Sequence, residues 1–327
     1  MDQKLYPLKF YPILKERIWG GTKLMEVLHK ESAKKNIGES WELSDVEGDI
    51  SIVANGSLEG RTLKELIETY KEALVGNKVF KDFDTKFPLL IKFIDAKEAL
   101  SIQLHPDDAL AQERHNSFGK TEMWYIMQAD KGGNLIVGFK KDSNREEYVK
   151  HLKDKSLMEI LNKDMVNQGD VYFIPAGRVH AIGAGVMLAE IQQTSDVTYR
   201  VYDWDRVDDK GNSRELHTEL ALDAIDYKAQ KSYPSTYKKN LNNTSKIVDN
   251  KYFTTNIISI KGMVEKDHSD KDSFVIYIGV EGEVTMSFDN GITEKISKGE
   301  TVLLPAALKK LHLKAETPSE LLEVYVK

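Results

Sequence analysis

The sequence predicts an all-β dominated protein of two domains, with small helical inserts in the first domain. Short runs of aromatic and β-branched residues recur between Gly, Pro and Asp residues, which is typical of antiparallel β structure. One strand-and-turn unit occurs twice, as GDVYFIPAGRVH at 169–180 and as KGETVLLPAALKKLHL at 298–313. The length of 327 residues also fits two domains, at about 150 residues for each.

Composition limits the partners and the chemistry. The formal net charge of −6 argues against nucleic acid and anionic membranes as partners, because neither is attracted by the mean field. The chain has no cysteine, so a bound metal must use His, carboxylate or amide oxygen. The start lacks an apolar signal segment, and Lys92 interrupts the longest apolar stretch, 87–96. We therefore expect a cytoplasmic protein, a monomer or weak homodimer, that acts on a small molecule.

The elements follow from local patterns taken in chain order. Strands are predicted at 37–54, at 87–105 with a turn at 95–98, and at 120–127, 169–180, 187–193, 197–203 and through most of 251–327. Amphipathic helices are predicted at 62–76, 143–163 and 216–225, the first two beginning with the capping boxes Thr62/Glu65 and Ser143/Glu146. The polar stretch 230–250 is predicted to be a linker or covering loop. The boundary placed there gives domains at 1–240 and 241–327.

Four strand positions carry side chains that a β core does not normally hold. Gln103 and His105 are two residues apart, so both leave one face of a strand, about 7 Å apart, and can converge on one metal. Glu122 lies in a run that is apolar on both faces, where a carboxylate needs a partner. Arg200 lies between Tyr199 and Val201, which is costly unless it meets an anion.

The segment GDVYFIPAGRVH resembles the second conserved motif of the cupin superfamily. In that superfamily the final histidine, here His180, binds a metal inside a small β-barrel. The resemblance implies a bicupin, two jelly-roll β-barrels in one chain. In the second copy Ala307 and Lys310 stand where the first has Gly177 and His180. We therefore expect the second barrel to be degenerate and without a metal site.

Six further segments narrow the resemblance. They are WGG at 19–21, GESWELS at 38–44, LSIQLHPDD at 100–108, GKTEMWY at 119–125, IPAGRVHAIG at 174–183 and EIQQTSDVTYRVYDWDR at 190–206. In this order they resemble the class I mannose-6-phosphate isomerases, through most of the first 227 residues. The chain is similar to the short bacterial branch, which lacks the long helical domain of the fungal and animal enzymes. The resemblance implies a zinc enzyme, with one ion per chain, that interconverts mannose 6-phosphate and fructose 6-phosphate.

The resemblance also implies roles for single residues. The family's metal ligands fall on Gln103, His105, Glu122 and His180. Its active-site arginine falls on Arg200, its other pocket residues fall on Lys92, Ser101, Lys120 and Glu190, and Trp19 is expected at the entrance.

The implied reaction moves a proton between C1 and C2 of an open-chain sugar through an enediol. Arg200 is a poor base because the pKa of arginine exceeds about 12, so we expect it to stabilise an oxyanion or the phosphate. Lys120 is the first candidate for the acid or base and Glu190 the next. We expect the phosphate to rest on Lys92, Ser101 and Arg200. The sequence leaves open whether zinc binds the sugar oxygens directly or acts through its water.

Three other functions fit a bicupin. An oxygenase of this fold uses His and Glu ligands but holds redox-active iron or manganese, so metal analysis and oxygen uptake distinguish it. A sugar-binding bicupin keeps a polar pocket without a full ligand set. A purely structural bicupin is disfavoured by the Lys, Glu and Arg residues on core strands.

Overall fold

The computed structural model describes residues 4–208 and 210–327. Within these residues the strands are β1 (Ile13–Gly21), β2 (Ile37–Leu43), β3 (Asp45–Val46), β4 (Asp49–Ile50), β5 (Leu89–Ala96), β6 (Ile102–Leu104), β7 (Glu122–Ala129), β8 (Asn134–Phe139), β9 (Leu161–Met165), β10 (Val171–Ile174), β11 (His180–Ile182), β12 (Val186–Gln193), β13 (Tyr199–Tyr202), β14 (Asn243–Asp249), β15 (Thr254–Asp267), β16 (Val275–Glu281), β17 (Glu283–Ser287), β18 (Thr293–Ser297), β19 (Thr301–Leu304) and β20 (Lys310–Tyr325). The helices are α1 (Lys23–Glu26), α2 (Leu63–Tyr70), α3 (Glu72–Val75), α4 (Asn77–Phe83), α5 (Asp108–His115), α6 (Arg145–Lys153) and α7 (Thr218–Leu222). None of the helices in this described part is long and apolar enough to cross a membrane.

Three main sheets organise these strands. The first has six strands in the order β1-β2-β5-β12-β7-β10, and the second has five, in the order β13-β6-β11-β8-β9. The third is built from β14-β15-β20-β16-β19, with the hairpin β17–β18 attached to β20. Neighbouring strands run antiparallel in all three. The prediction of an all-β dominated fold is confirmed.

An apolar cluster joins the two halves of the molecule. It combines side chains of β5, β7 and β12 and of the helices near residues 63–79 with residues of the third sheet. Phe87 and Phe274 pack with their ring centroids 4.5 Å apart. Leu8, from the start of the chain, forms a β-bridge with Leu303 of β19. Packing of buried side chains, and not only the covalent linker, therefore holds the third sheet against the first two.

The first predicted helix is divided in the structure. Its capping box is confirmed, because Thr62 accepts from the Glu65 amide and Glu65 accepts from the Thr62 amide. The chain then breaks at Lys71, whose φ is +46°, so α2 and α3 replace the single helix predicted at 62–76.

The second and third predicted helices are shorter than expected. The N-cap of α6 is Asn144, one residue after the predicted Ser143, and the helix ends at Lys153. Leu157 and Leu161 are buried beyond that end, and the chain turns there into β9. The helix predicted at 216–225 is reduced to α7.

The polar stretch 230–250 contains a strand that the sequence did not predict. Strand β14 pairs with β15. Its Ile247 and Val248 are buried, although the residues that flank them in the sequence are polar. The stretch is therefore a covering loop only up to residue 242. The domain boundary near residue 240 stays a prediction.

Candidate active site

Three neighbouring strands of the five-stranded sheet bring predicted site residues side by side. Gln103 of β6 lies directly opposite His180 of β11 and also opposite Arg200 of β13. Partners in this register leave the same face of a sheet. A slip of one residue would turn any of the three away, so the strand register itself assembles this row.

The six-stranded sheet contributes a second row. Glu190 of β12 lies between Lys92 of β5 and Trp124 of β7, and Lys92 lies opposite Trp41 of β2. Lys92 donates to Glu190 at 3.0 Å, and the indole N–H of Trp124 donates to the other carboxylate oxygen at 2.8 Å. This row is thus a hydrogen-bonded chain of buried side chains.

The two rows line one cleft of about 640 Å³. Every predicted pocket residue lines it, and so do two of the four predicted ligands; together these are Trp19, Lys92, Ser101, Gln103, Lys120, His180, Glu190 and Arg200. His105 and Glu122, the other predicted ligands, are 1% exposed. The structure therefore brings the whole predicted set to one place.

Two histidines and one carboxylate at this place form a cluster suited to a cation. His105, Glu122 and His180 each offer a ligand atom within 4.8 Å of the others. Both imidazole Nε2 atoms lie 3.4 Å from an oxygen of Glu122. The cluster joins the two sheets, because Glu122 belongs to β7 whereas the histidines come from the β6 and β11 side.

Backbone carbonyls fix the tautomers of the two histidines. The Nδ1 proton of His105 is donated to the carbonyl of Val197 and that of His180 to the carbonyl of Arg178, each at 2.9 Å. Burial lowers the pKa of His105 well below its ordinary value and lowers the pKa of His180 to about 4. Both rings are neutral at pH 7, with an Nε2 lone pair facing Glu122, as metal-binding histidines require.

Glu122 lacks the partners that a buried carboxylate needs. Among residues 4–208 and 210–327, neither of its oxygens has a hydrogen-bond partner, nor has Nε2 of His105, and all three atoms are buried. Burial and the charge of Glu190 raise the pKa of Glu122. A cation among these three residues would satisfy the orphaned atoms and remove that penalty, so the donor set fits a divalent metal.

Gln103 lies at the edge of this cluster. Its amide nitrogen is 3.5 Å from Nε2 of His180, and its amide oxygen accepts from the Ser101 hydroxyl at 3.3 Å. The oxygen and nitrogen of an amide exchange places by a half-turn about the last side-chain bond. Gln103 can thus present its oxygen to the cluster.

Charge is balanced around Glu190. Burial by itself would raise the pKa of Glu190, but the ammonium groups of Lys92 and Lys120 outweigh it and hold that pKa below its ordinary value. Burial alone would lower the pKa of Lys92, yet the carboxylates of Glu190 and Glu39 raise it. Lys92 and Glu190 therefore stay charged as a pair. The Nζ of Lys120 lies 3.5 Å from Glu122.

Arg200 forms the basic end of the cleft. One of its terminal nitrogens donates to the carbonyl of Glu215 at 2.8 Å, and its buried Nε has no hydrogen-bond partner within the part of the chain that the structure describes. Arg214, held by two hydrogen bonds to Asp203, lines the same cleft. Burial first, and then the charge of Arg214, lower the pKa of Arg200. Two guanidinium groups at one end suit an anionic ligand group.

Close backbone packing fixes the position of Trp19. A Cβ on Gly38 would lie 2.6 Å from the Trp19 ring, and one on Gly20 would lie 2.5 Å from the backbone nitrogen of Gly38. Trp19 is 3% exposed and lines the cleft. The absence of side chains at Gly20 and Gly38 therefore leaves the space that the Trp19 indole needs in the wall of the cleft.

Sequence reasoning assigned no role to several other residues that line the cleft, among them Glu39, Trp41, Trp124 and Arg214. The first three lie within GESWELS and GKTEMWY, so the resemblance already contained a signal for them. Arg214 lies in a polar stretch without a pattern, and only its bond to Asp203 reveals it.

Two family models match separate parts of the chain. The model described as "Phosphomannose isomerase type I, catalytic domain" matches residues 8–135, and that described as "Mannose-6-phosphate isomerase, cupin domain" matches residues 243–325.

Curated relatives are similar over nearly the whole chain. A mannose-6-phosphate isomerase of Streptococcus mutans is 34% identical over 304 residues, which is 93% of this chain and 93% of that protein. Mannose-6-phosphate isomerase ManA of Bacillus subtilis is 33% identical over 311 residues, or 94% of this chain and 95% of the relative.

Solved structures share the fold. The crystal structure of the mannose 6-phosphate isomerase from Bacillus subtilis superposes with a TM-score of 0.87 at 32% identity and covers 99% of this chain and 100% of its own. A putative mannosephosphate isomerase from Archaeoglobus fulgidus superposes with a TM-score of 0.80 at 22% identity and covers 99% of each chain, which supports the fold alone. The predicted cupin architecture is confirmed.

Proposed function

This chain belongs to the type I mannose-6-phosphate isomerases, and on that premise we propose that it interconverts mannose 6-phosphate and fructose 6-phosphate. The observation that carries the proposal is the buried cluster of His105, Glu122 and His180, whose orphaned atoms lie between two rows of cleft residues. The family match does not favour an iron or manganese oxygenase or a sugar-binding bicupin.

We propose that the metal is zinc, with one ion per chain, held by Gln103, His105, Glu122 and His180. Two neutral imidazoles, an amide oxygen and a single carboxylate leave a divalent ion with net positive charge. When bound, zinc supplies positive charge to the sugar oxygens on which negative charge develops.

We propose that Lys120 exchanges the proton between C1 and C2. Its Nζ lies 3.5 Å from Glu122, and Lys120 lines the cleft. Glu190, the second candidate, already accepts hydrogen bonds from Lys92 and Trp124, and its pKa is held low by Lys92 and Lys120 in spite of burial. These contacts support Glu190 as a fixed negative charge that keeps Lys92 and Lys120 in place more than as a base.

We propose that the phosphate lies at the end of the cleft formed by Arg200. Arg200 keeps an unpartnered donor there, and Ser101 offers a hydroxyl. Lys92 gives hydrogen bonds to Glu190 and Gln192, so it contributes mainly by its charge. Trp19 forms the wall beside these groups.

We propose that the chain works in the cytoplasm as a monomer or weak homodimer, without nucleic-acid or membrane partners. A charged sugar phosphate does not cross a membrane by itself, so an enzyme that uses it is expected in the same compartment as its substrate.

A coupled assay of fructose 6-phosphate conversion to mannose 6-phosphate tests the function. We expect turnover in the purified protein, loss of turnover after chelation and recovery with zinc. Full activity in protein shown to be metal-free would exclude the proposed site. Oxygen uptake without isomerisation would instead identify an oxygenase.

A further inference from the structure

Asp108, at the start of α5, connects the cleft to the third sheet. Its Oδ1 accepts hydrogen bonds from the Gly119 amide at 3.1 Å and from the Gln193 side chain at 2.9 Å. Its Oδ2 accepts from the hydroxyl of Tyr252 at 2.5 Å and lies 3.5 Å from Nζ of Lys251. One carboxylate thus bonds groups from three separate parts of the chain.

The first two of these groups, the Gly119 amide and the Gln193 side chain, hold the segment that contains Lys120. The consecutive amides of residues 119, 120 and 121 each have a fixed acceptor, which is Asp108 for the first, the carbonyl of Pro106 for the second and the side-chain oxygen of Gln193 for the third. Asp108 controls two of the three, because it also holds the Gln193 amide. Only glycine fits at residue 119, since a Cβ there would lie 2.5 Å from the backbone nitrogen of Asp108, so this segment packs directly against the start of α5.

The third group, the Tyr252 hydroxyl, comes from the half of the molecule that has no predicted metal site. Tyr252 lies in the turn between β14 and β15, and its own amide is fixed by Asn250 at 2.7 Å. The hydrogen bonds from Tyr252, Gln193 and Gly119 hold the pKa of Asp108 below its ordinary value although burial opposes them. Asp108 is therefore an ionised acceptor that Tyr252 orients from outside the catalytic half.

We propose that Asp108 and Tyr252 are positioning residues, through which the second barrel fixes the segment 119–121 and so places Lys120 in the cleft. The inference rests on the proposed isomerase function. It gives the second barrel a part in turnover, although neither residue touches the substrate. Misplacement of a reacting group by about 1 Å can cost on the order of 100-fold in rate. Loss of a hydrogen bond that holds such a group is therefore expected to lower kcat.

The test is Tyr252→Phe in the zinc-loaded 327-residue chain. This substitution removes only the hydroxyl. We expect kcat to fall roughly tenfold, with KM within about twofold and metal content unchanged, because binding groups are not displaced. Asp108→Asn should reduce kcat at least as much. The double variant should be no slower than Asp108→Asn, since Tyr252 acts only through Asp108.

Tyr125→Phe is the matched control. The Tyr125 hydroxyl also bonds the third sheet, donating to Glu320 at 3.2 Å, but none of its hydrogen bonds involves residues 119–121. We expect the control to lower the melting temperature about as much as Tyr252→Phe while kcat stays at the wild-type value. Equal loss of kcat in both variants would mean that any bond between the halves has this effect, and would overturn the inference.

Hydrogen exchange gives a readout that does not require activity. Amides in a peptide covering 117–121 should exchange faster in Tyr252→Phe than in Tyr125→Phe or the wild type. An inactive wild type would refute the proposed function and leave this measurement to decide the positioning. An active wild type with unchanged kcat and exchange in Tyr252→Phe would refute the positioning and leave the function standing.

Discussion

His180 donates its Nδ1 proton to the carbonyl of Arg178 and directs its Nε2 towards Glu122, so its replacement has a clear consequence. The His180→Ala change should remove bound zinc and lower turnover by on the order of 100-fold or more, because the chain has no cysteine that can substitute. Metal analysis and the isomerase assay on the same sample measure both. His312→Ala is the control, since His312 lies in β20 of the second barrel. Its metal content should stay at one per chain, and two ions per wild-type chain would show that the second barrel also binds metal.

Arg200 tests whether shape matters in addition to charge. Arg200→Lys keeps a cation but loses the planar fork, so we expect kcat to fall roughly 10- to 100-fold with metal content unchanged. Arg145→Lys makes the same chemical change at an exposed ion pair with Asp223, away from the cleft, and should be silent. Wild-type turnover in Arg200→Lys would mean that Arg200 contributes only its positive charge and not the geometry of its guanidinium group.

Single residues were predictable from sequence where a local pattern carries them. The spacing of Gln103 and His105 and the position of Glu122 in an apolar run are readable without a structure. Arg214 is not, because its place in the cleft depends on Asp203, 11 positions earlier in the chain. The tautomers of the two histidines depend on carbonyls that no side-chain pattern reveals.

On the six-stranded sheet, the buried charges of Lys92 and Glu190 stabilise the fold only as a pair. Glu190→Gln leaves the buried Lys92 ammonium without its ion-pair partner, and we expect a loss of about 3 kcal/mol in the free energy of unfolding. Adding Lys92→Met removes the unpaired charge and should recover most of that loss. Urea unfolding of the two single variants and the double variant gives the coupling. Additive losses would mean that the two side chains do not stabilise each other.

Elements were predictable where their hydrophobic period is strong. Strands β5, β7 and β12 are apolar on both faces and α2 has a capping box, so their types were predicted correctly. Helix α5 was not predicted, because only Ala111 of its eight residues is buried and no apolar stripe exists. The break at Lys71 was equally hidden, since no glycine or proline marks the position whose φ is +46°.

The molecule as a whole should lose stability in mild acid through the second barrel. His268, 1% exposed, contacts the Tyr277 hydroxyl at 2.9 Å and lies near Glu323, which pairs with Lys266. Burial lowers the pKa of His268 to about 4, although Glu323 opposes this. The unfolded chain, with an ordinary pKa of about 6.5, binds the proton first, so stability is present above pH 6.5 and is lost as the pH falls towards 4.

The expected size of this loss is about 2 kcal/mol between pH 7 and pH 5 from His268 alone. Urea unfolding of the zinc-loaded protein at both pH values measures it. His268→Gln keeps a neutral hydrogen-bond donor and should show that much less dependence on pH. The same pH dependence in the variant and the wild type would place the titration elsewhere.

The repeat predicted the second barrel at the scale of the whole chain, but not how the two halves contact each other. Gly299 and Pro305 reproduce the spacing of Gly169 and Pro175, which is a local signal. The Phe87–Phe274 contact and the bond from Tyr252 to Asp108 join residues more than 140 positions apart, and no local pattern encodes them.

The metal cluster draws its side chains from two different sheets, and this has a meaning for the unfolded chain. Gln103 and His180 are separated by 77 positions, with Glu122 between them on the opposite sheet. In polymer terms, a cation that holds them closes two long loops and acts as a removable cross-link. Each tenfold rise in free zinc above the dissociation constant then adds about 1.4 kcal/mol to the stability of the first barrel. If the proposed zinc site is filled, the cohesion of the catalytic half would therefore depend on the zinc supply of the cell.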